Sequence, residues 1–357
     1  MEYTYAQFTG QDVFVGIDAS RKSWRVAVRL GGQLHKRFAQ PPQAEVLMTY
    51  LQRHFPGACY HCVYEAGYEG FWIHDSLRAL GADCIVVHPA DVPTSDKERQ
   101  FKNDPVDADK LARDLSSGAL QPIYIPARGQ VEDRTLVRMR GSFVRKQTRC
   151  KNQIKALLEF YGYRVPQDQL ERYWSRAYIR WIESLTMLRP SGQHALEVLL
   201  QELLFLRQTI AQLNRQIRQL ALEEPYARII PCISSVCGVS VLAAMIFVVE
   251  VVDIDRFATL DELASYMGLI PGEYSSGNSQ LMTGVTYRRN AFLRHMIIEC
   301  AWVAQREDPA LLQAFVHLSQ RMPKNRAIIR IARKLLNRMR YTWKNQQRYV
   351  VAVAATA

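Results

Sequence analysis

Apolar and polar positions follow two rhythms along this chain, and the change between them divides it. Up to about residue 90 the apolar residues come in short bursts. Val13-Phe14-Val15-Gly16-Ile17 is a continuous apolar run closed by Asp18, as expected of a buried strand. Trp24 to Leu30 alternates at period two, Gly31-Gly32 supplies a hairpin turn, and Gln33 to Ala39 reads as a third strand. A helix over residues 45–54, a strand ending in Cys62-Val63-Tyr64-Glu65, a helix over 68–80 and a β-branched strand over 83–88 follow. A further helix is expected from about Pro105 to Ser116.

Beyond a Gly/Pro-containing linker at 118–129 the period becomes helical. Residues 132–161 read as one long helix, with Leu136, Phe143, Cys150 and Leu157 seven apart. A second long helix carries Leu196, Leu199, Leu203, Leu206, Ile210, Leu213, Ile217 and Leu220 in alternating steps of three and four. That is a heptad seam running for about 37 Å of helix. It needs a partner, either the preceding long helix folding back or a second protomer. Glu223-Glu224-Pro225 ends it, and a turn, a buried helix over 239–251 and a short helix over 256–267 come next. Residues 268–277 look too rich in Gly, Pro and Ser for regular structure. Helices over 291–305 and 324–344 complete the chain. The expected division is an α/β domain at 1–125, a helical coiled-coil region at 126–225 and a mostly helical domain at 226–357.

Charge sharpens that division. Residues 1–125 hold 13 Lys and Arg against 15 acids, whereas residues 126–357 hold 33 against 19. A polyanion gripped by the C-terminal two thirds is the expected partner. The first long helix carries Arg138, Arg145, Lys146, Arg149, Lys151 and Lys155 with almost no acids between Asp133 and Glu159. A solvated coiled-coil face would mix signs, so nucleic-acid backbone contact is favoured there. Arg330, Arg333 and Lys334 mark a second basic helix, and Arg288 precedes the helix before it. Tyr163, Tyr173, Trp174, Tyr178 and Trp181 interleave with arginines, which suits a base-stacking surface or equally a helical core. The seven scattered cysteines, with a lone Cys59-x-x-Cys62, fit a reduced cytoplasmic protein with buried structural thiols. No apolar run approaches the roughly 20 residues needed to span a bilayer, so no membrane role is expected.

The candidate chemistry lies in four acids. Asp18 and Glu65 end predicted strands, where a carboxylate is costly unless paired or metal-bound. Asp104 and Asp107 fall one turn apart at a helix start. N-capping by Asp104 ahead of Pro105 would explain that pair taken alone. Together the four read as a magnesium-binding, nuclease-like centre, in which bound Mg2+ would polarise a scissile phosphate. Three antiparallel strands followed by alternating helices and strands is the order of a ribonuclease-H-like domain, with its acids at these positions. An actin-like ATPase would want a glycine-rich phosphate loop after the first acid, which Asp18-Ala19-Ser20-Arg21 does not supply.

The set Gly16-Ile17-Asp18, Tyr64-Glu65-Ala66 and Lys102-Asn103-Asp104-Pro105-Val106-Asp107-Ala108, followed by Tyr266-Met267-Gly268-Leu269-Ile270-Pro271-Gly272-Glu273-Tyr274-Ser275-Ser276-Gly277, resembles the DEDD transposases of the one-ten family of insertion sequences. These are bridge-RNA-guided recombinases related to pilin-gene invertases. The resemblance implies a RuvC-like N-terminal domain, a coiled-coil middle and a C-terminal transposase domain. It further implies that Asp18, Glu65, Asp104 and Asp107 bind magnesium and that Ser276 attacks a DNA phosphate, leaving a phosphoserine-linked end that is then rejoined. The implied partners are donor and target DNA, a guide RNA and further copies of the chain in a dimer or tetramer, in a bacterial or archaeal cytoplasm. Arg289 stands where the family's Lys-x-Gly-Asn step has glycine, and Ser275 is a neighbouring candidate nucleophile. Two other readings remain open: a metal-dependent nuclease or Holliday-junction resolvase using only the acids, and a nucleic-acid-binding scaffold without activity.

Overall fold

The computed structural model describes residues 8–93, 104–166, 173–276, 279–285 and 290–351, without the side chains of 104–106 and 271–285. The chain forms two compact units, residues 1–125 and 126–357.

The first unit is built on five strands: β1 (Asp12–Ala19), β2 (Trp24–Leu30), β3 (Gln33–Gln40), β4 (Cys59–Glu65) and β5 (Asp83–Val87). Their order is β3-β2-β1-β4-β5, with β1–β2 and β2–β3 antiparallel and β1–β4 and β4–β5 parallel. Helices α1 (Ala44–His54) and α2 (Trp72–Ala79) cover one face, packing Leu47, Leu51, Ile73 and Leu77 on Val13, Val15, Ile17, Val26 and Val86. Helix α3 (Asp104–Ser116) covers the other, where Leu111 joins Val63 and Val87. Burial on both faces is why β1 reads as an unbroken apolar run. The outermost strand β3 is mostly exposed and correspondingly polar. Cys59 and Cys62 lie three residues apart on β4, one exposed and one buried, as opposite faces of a strand require.

The closest contact in this unit is backbone against backbone. A Cβ placed on Gly16 would lie 1.9 Å from the carbonyl oxygen of Ala108 and 2.6 Å from the amide nitrogen of Ala112. Ala27, Ala108 and Ala112, all small and fully buried, let α3 come that near. The helix is also held by charge. Asp109 accepts from Arg29 Nε on β2 at 2.7 Å and from Arg37 Nη2 on β3 at 2.5 Å. Burial opposes ionisation of Asp109, but the two guanidinium hydrogen bonds outweigh it and keep its carboxyl below the ordinary carboxylate value.

The second unit opens with α4 (Arg128–Phe160), α5 (Arg176–Glu183) and α6 (Pro190–Leu220). Val137 packs in the cluster of Ile217, Arg140 Nε donates to Asn214 at 3.0 Å, and Cys150 Sγ donates to the Leu199 carbonyl at 3.4 Å. The pairings descend along α6 as they rise along α4, so the two helices are antiparallel. The heptad seam therefore finds its partner in the basic helix of the same chain. On α4 the buried positions are Val137, Gly141, Cys150, Ile154 and Leu158, with Phe143 and Leu157 only partly buried. Tyr178, fully buried on α5, belongs to this core, so that member of the aromatic run is no stacking platform.

The remainder comprises α7 (Tyr226–Ile233), α8 (Val241–Val251), α9 (Leu260–Tyr266), the hairpin β6 (Pro271–Ser276) and β7 (Ser279–Val285), then α10 (Ala291–Glu307), α11 (Pro309–Arg321) and α12 (Lys324–Asn345). Helix α8 is buried all round from Ala243 to Val251, as its apolar residues, broken only by Glu250, require. Among the described residues no helix is long and apolar enough to cross a membrane.

Two outcomes follow for the first unit. Gly16→Ala should cost about 3 kcal/mol in urea unfolding, because a helix backbone cannot step aside, whereas Gly129→Ala, with open space around it, should stay within about 1 kcal/mol. Asp109→Asn should cost about 2 kcal/mol at pH 7 through its two charged hydrogen bonds. Because the folded pKa is depressed, that stabilisation is present above the usual carboxylate value and disappears as pH falls through the folded one. The gap between wild type and Asp109→Asn should therefore close in acid unfolding titrations; a gap that widens would contradict the assignment.

Candidate functional site

The register of the sheet decides which acids meet. Ile17 on β1 stands opposite Tyr64 on β4, so the next residues, Asp18 and Glu65, sit side by side, about 4.8 Å apart across the ladder. Strand residues alternate faces, and Asp18 therefore shares the α3 face with Gly16, as Glu65 does with Val63. Arg25 is the cross-strand partner of Asp18 on β2, and Val87 that of Glu65 on β5. A cation is thus placed next to one end of the acidic pair. Asp18 is partly buried and Glu65 exposed.

Helix α3 packs on that face and carries Asp107, which does not join Asp18 and Glu65 in a group of three. Its helical bonding includes Asp104 itself, one residue earlier than capping by Asp104 would have it. Asp107 is partly buried and immediately precedes Ala108, whose carbonyl abuts Gly16. The side chain of Asp104 lies outside the described residues. Among the described residues no three carboxylate, His or Cys side chains are grouped to hold a metal by themselves. The adjacent pair of carboxylates nonetheless suits Mg2+, which takes one or two protein carboxylates, keeps several waters and completes its shell with substrate phosphate. Asp109, two residues past Asp107, is the acid that sequence reasoning missed; its role is to anchor α3 through Arg29 and Arg37.

The basic residues fall into two groups. On α4, Arg145, Lys146 and Arg149 are exposed, and Lys146 Nζ lies 4.7 Å from the Phe143 ring centroid. Lys151 and Lys155 are partly buried and lie over the Trp174 and Tyr173 rings, at 5.6 and 4.4 Å. Burial and the neighbouring Arg207 and Lys155 push the Lys151 ammonium below its ordinary value. Arg138 differs: its Nε and Nη2 donate to the two carboxylate oxygens of Glu250 at 2.6 and 2.7 Å. On α12, Arg330 and Lys334 are exposed together with Arg326, each four residues from the next and so on one face. Arg333 instead pairs with Asp261, Arg338 with Asp308 and Lys344 with Asp255. Arg288 and Arg289 lie outside the described residues.

Ser276 is not in an irregular loop. It is the last residue of β6 and pairs with Ser279 on β7, while Ser275 pairs with Gln280. The Gly, Pro and Ser content that suggested a loop belongs to a two-stranded ribbon, where ladder pairing outweighs single-residue preference.

The residues that flank this ribbon, Tyr266 and Asn290, are tied to a glutamate that the sequence hid inside an apolar helix. Glu250 on α8 is fully buried. Besides Arg138, it accepts from Asn290 Nδ2 at 2.8 Å, and its backbone carbonyl accepts from the Tyr266 hydroxyl at 3.1 Å. Asn290 also caps α10, its Oδ1 accepting from the Leu293 amide, so both ends of its amide are fixed. The Asn290 amide in turn donates to the Tyr266 carbonyl at 3.0 Å. Arg134 donates to the carbonyl of Val249, and Arg294 to that of Gly268. Its hydrogen bonds to Glu250 hold the Arg138 guanidinium above its ordinary value, while burial draws that of Arg134 below.

Comparison with known proteins gives these residues a common context. The model of the Transposase IS116/IS110/IS902 family matches residues 231–317, and that of the DEDD transposases of the IS110 type matches residues 15–163. The chain is 30% identical over 301 residues to a putative transposase, y4qE, of Sinorhizobium fredii, covering 82% of this chain and 72% of that one. It is 27% identical over 265 residues to the transposase for insertion sequence element IS1111A of Coxiella burnetii, covering 72% and 71%. A second Sinorhizobium fredii putative transposase, y4rJ, is 26% identical over 363 residues, covering 91% and 90%. With a ribonuclease-H-like sheet carrying acids at its strand ends and a helical C-terminal region, this chain belongs to the IS110/IS116/IS902 family of transposases, enzymes that cleave and transfer DNA strands.

Proposed function

We propose that this transposase cuts and rejoins DNA through a serine–phosphate ester at Ser276, with magnesium held by Asp18, Glu65, Asp104 and Asp107. The observation that carries the metal half is the shared row of Asp18 and Glu65 on the face where α3 begins. Hard oxygen donors so close together repel unless a cation lies between them. Bound there, the metal supplies Lewis-acid stabilisation of the phosphate oxyanions.

The remaining chemistry falls to the chain. The Ser276 hydroxyl gives up its proton and its oxygen bonds to phosphorus as one P–O bond of the strand breaks. The departing deoxyribose oxygen takes up a proton. The ester preserves a phosphodiester-like bond, so a hydroxyl from another strand can displace Ser276 and complete the transfer. A water-activating nuclease conserves no such bond and cannot rejoin. Exposed Arg145, Lys146 and Arg149 on α4 and Arg330 and Lys334 on α12 contact nucleic-acid backbone. Donor and target DNA are chosen by pairing with a structured bridge RNA, whose shape the protein recognises. The acids and the serine act across a dimer or tetramer, each reaction centre drawing them from different protomers. The corresponding regions are a RuvC-like domain at 1–125, a coiled coil at 126–225 and a serine-bearing domain at 226–357.

The direct test is genetic. Ser276→Ala should abolish recombination and all covalent protein–DNA product, and Ser275→Ala should not; a protein that cuts only by metal-activated water would keep nicking DNA without Ser276. Mixing Ser276→Ala with Asp18→Asn should restore activity that neither has alone, since each supplies what the other lacks. A mixture as inactive as its components would count against shared centres.

RNA sequencing of purified protein should return one discrete structured species rather than bulk cellular RNA. Arg149→Ala should weaken nucleic-acid binding equally across sequences and lower the salt slope of log K by about 1. A sequence-dependent loss would place Arg149 at base edges instead.

A further inference from the structure

We propose that Glu250 is a positioning residue that fixes the Ser276 hairpin to the basic helix α4, so that nucleic acid held on α4 meets the hairpin in one set placement. The inference rests on Ser276 being the nucleophile. Every other residue of α8 from Ala243 to Val251 is buried and apolar. A carboxylate at the one remaining position is expensive to bury, and an apolar side chain would serve stability as well. What the acid adds is connection between separated parts of the chain.

Those parts are specific. Tyr266 lies five residues before β6 begins at Pro271, and Asn290 five residues after β7 ends at Val285. The two are bonded to each other, Asn290 amide to Tyr266 carbonyl, and each is bonded to Glu250. Entry to and exit from the hairpin are thereby pinned to one residue. The third partner is Arg138, whose bidentate fork admits a single orientation of the carboxylate. Arg138 precedes Arg145 by two helical turns on the same rigid helix, and Arg145, Lys146 and Arg149 form its exposed basic stretch. A displacement of α4 relative to α8 is transmitted through the Arg138–Glu250 pair, whose carboxylate is fully buried and whose arginine side chain is 57% exposed, to the residues that flank the hairpin.

The test compares the full-length wild type with Glu250→Gln, Arg138→Lys and Asn290→Asp. Arg338→Gln, which breaks the ion pair to buried Asp308 elsewhere in the same unit, controls for lost stability. Each protein is measured for thermal melting, for affinity to a duplex carrying the cleavage site, for cleavage rate at saturating duplex, and for hydrogen exchange at amides 271–285. Glu250→Gln should lose on the order of 100-fold in saturated rate. Its duplex affinity should change little, and exchange across the hairpin should accelerate. Arg138→Lys, which keeps the charge but loses the fork, should do the same in smaller measure. Arg338→Gln should melt earlier and cleave at the wild-type rate. If Glu250→Gln does not fold, Arg138→Lys and Asn290→Asp decide the matter by the same readouts.

Wild-type rate and exchange in folded variants would overturn the proposal, as would a rate loss that Arg338→Gln shares in proportion to its melting temperature. Failure of the serine reading looks different. Ser276→Ala would then cleave normally, and the positioning claim would be judged on hairpin exchange alone, which unchanged protection would refute.

Discussion

The first unit depends on how closely one helix can approach one strand. With no side chain at Gly16, α3 rests its backbone on β1, and the start of the helix, which carries Asp107, lies over the face that Asp18 and Glu65 share. A methyl group there would lift the helix and separate the two sources of carboxylate. The ion pairs from Asp109 to Arg29 and Arg37 fix the helix laterally against β2 and β3. Packing thus sets the height of the helix, charge sets its position along the sheet, and the acidic row needs both.

The second unit solves a different problem, that of holding a small ribbon in place without a large sheet to support it. An isolated two-stranded hairpin is marginal in water. Here the flanking Tyr266 and Asn290 are bonded to Glu250, which is bonded in turn to α4, the longest helix among the described residues. The antiparallel packing of α4 on α6 gives that helix an apolar seat and leaves Arg145, Lys146 and Arg149 on the outside. Exposed basic residues and the fork that holds Glu250 consequently share one helix.

Features encoded by local periodicity were legible from the sequence. The unbroken apolar run of β1, the alternation of β2, the heptad of α6 and the acids at strand ends each depend on neighbours a few residues away. Features that depend on distant partners were not. Arg138 resembles its basic neighbours until Glu250, 112 residues on, is seen beside it. Glu250 stands in a run of apolar residues and shows none of its partners there. Asp109 was overshadowed by Asp107, though an acid flanked by the small apolar residues at 108 and 112 was a signal of a buried pair. The composition of residues 268–277 points to a loop, because the pairing of Pro271–Ser276 with Ser279–Val285 leaves little trace in the residues themselves.

Strand transfer by the proposed route requires a serine hydroxyl and a row of carboxylates to act on the same phosphate. The most direct measurement is a structure of the assembled protein with DNA and its divalent cation bound. It should find Ser276 Oγ about 3 to 3.5 Å from a scissile phosphorus, with that phosphate also facing the cation held by Asp18 and Glu65 of the same or a neighbouring protomer. A DNA-bound assembly in which every Ser276 is remote from every such acidic row would contradict it.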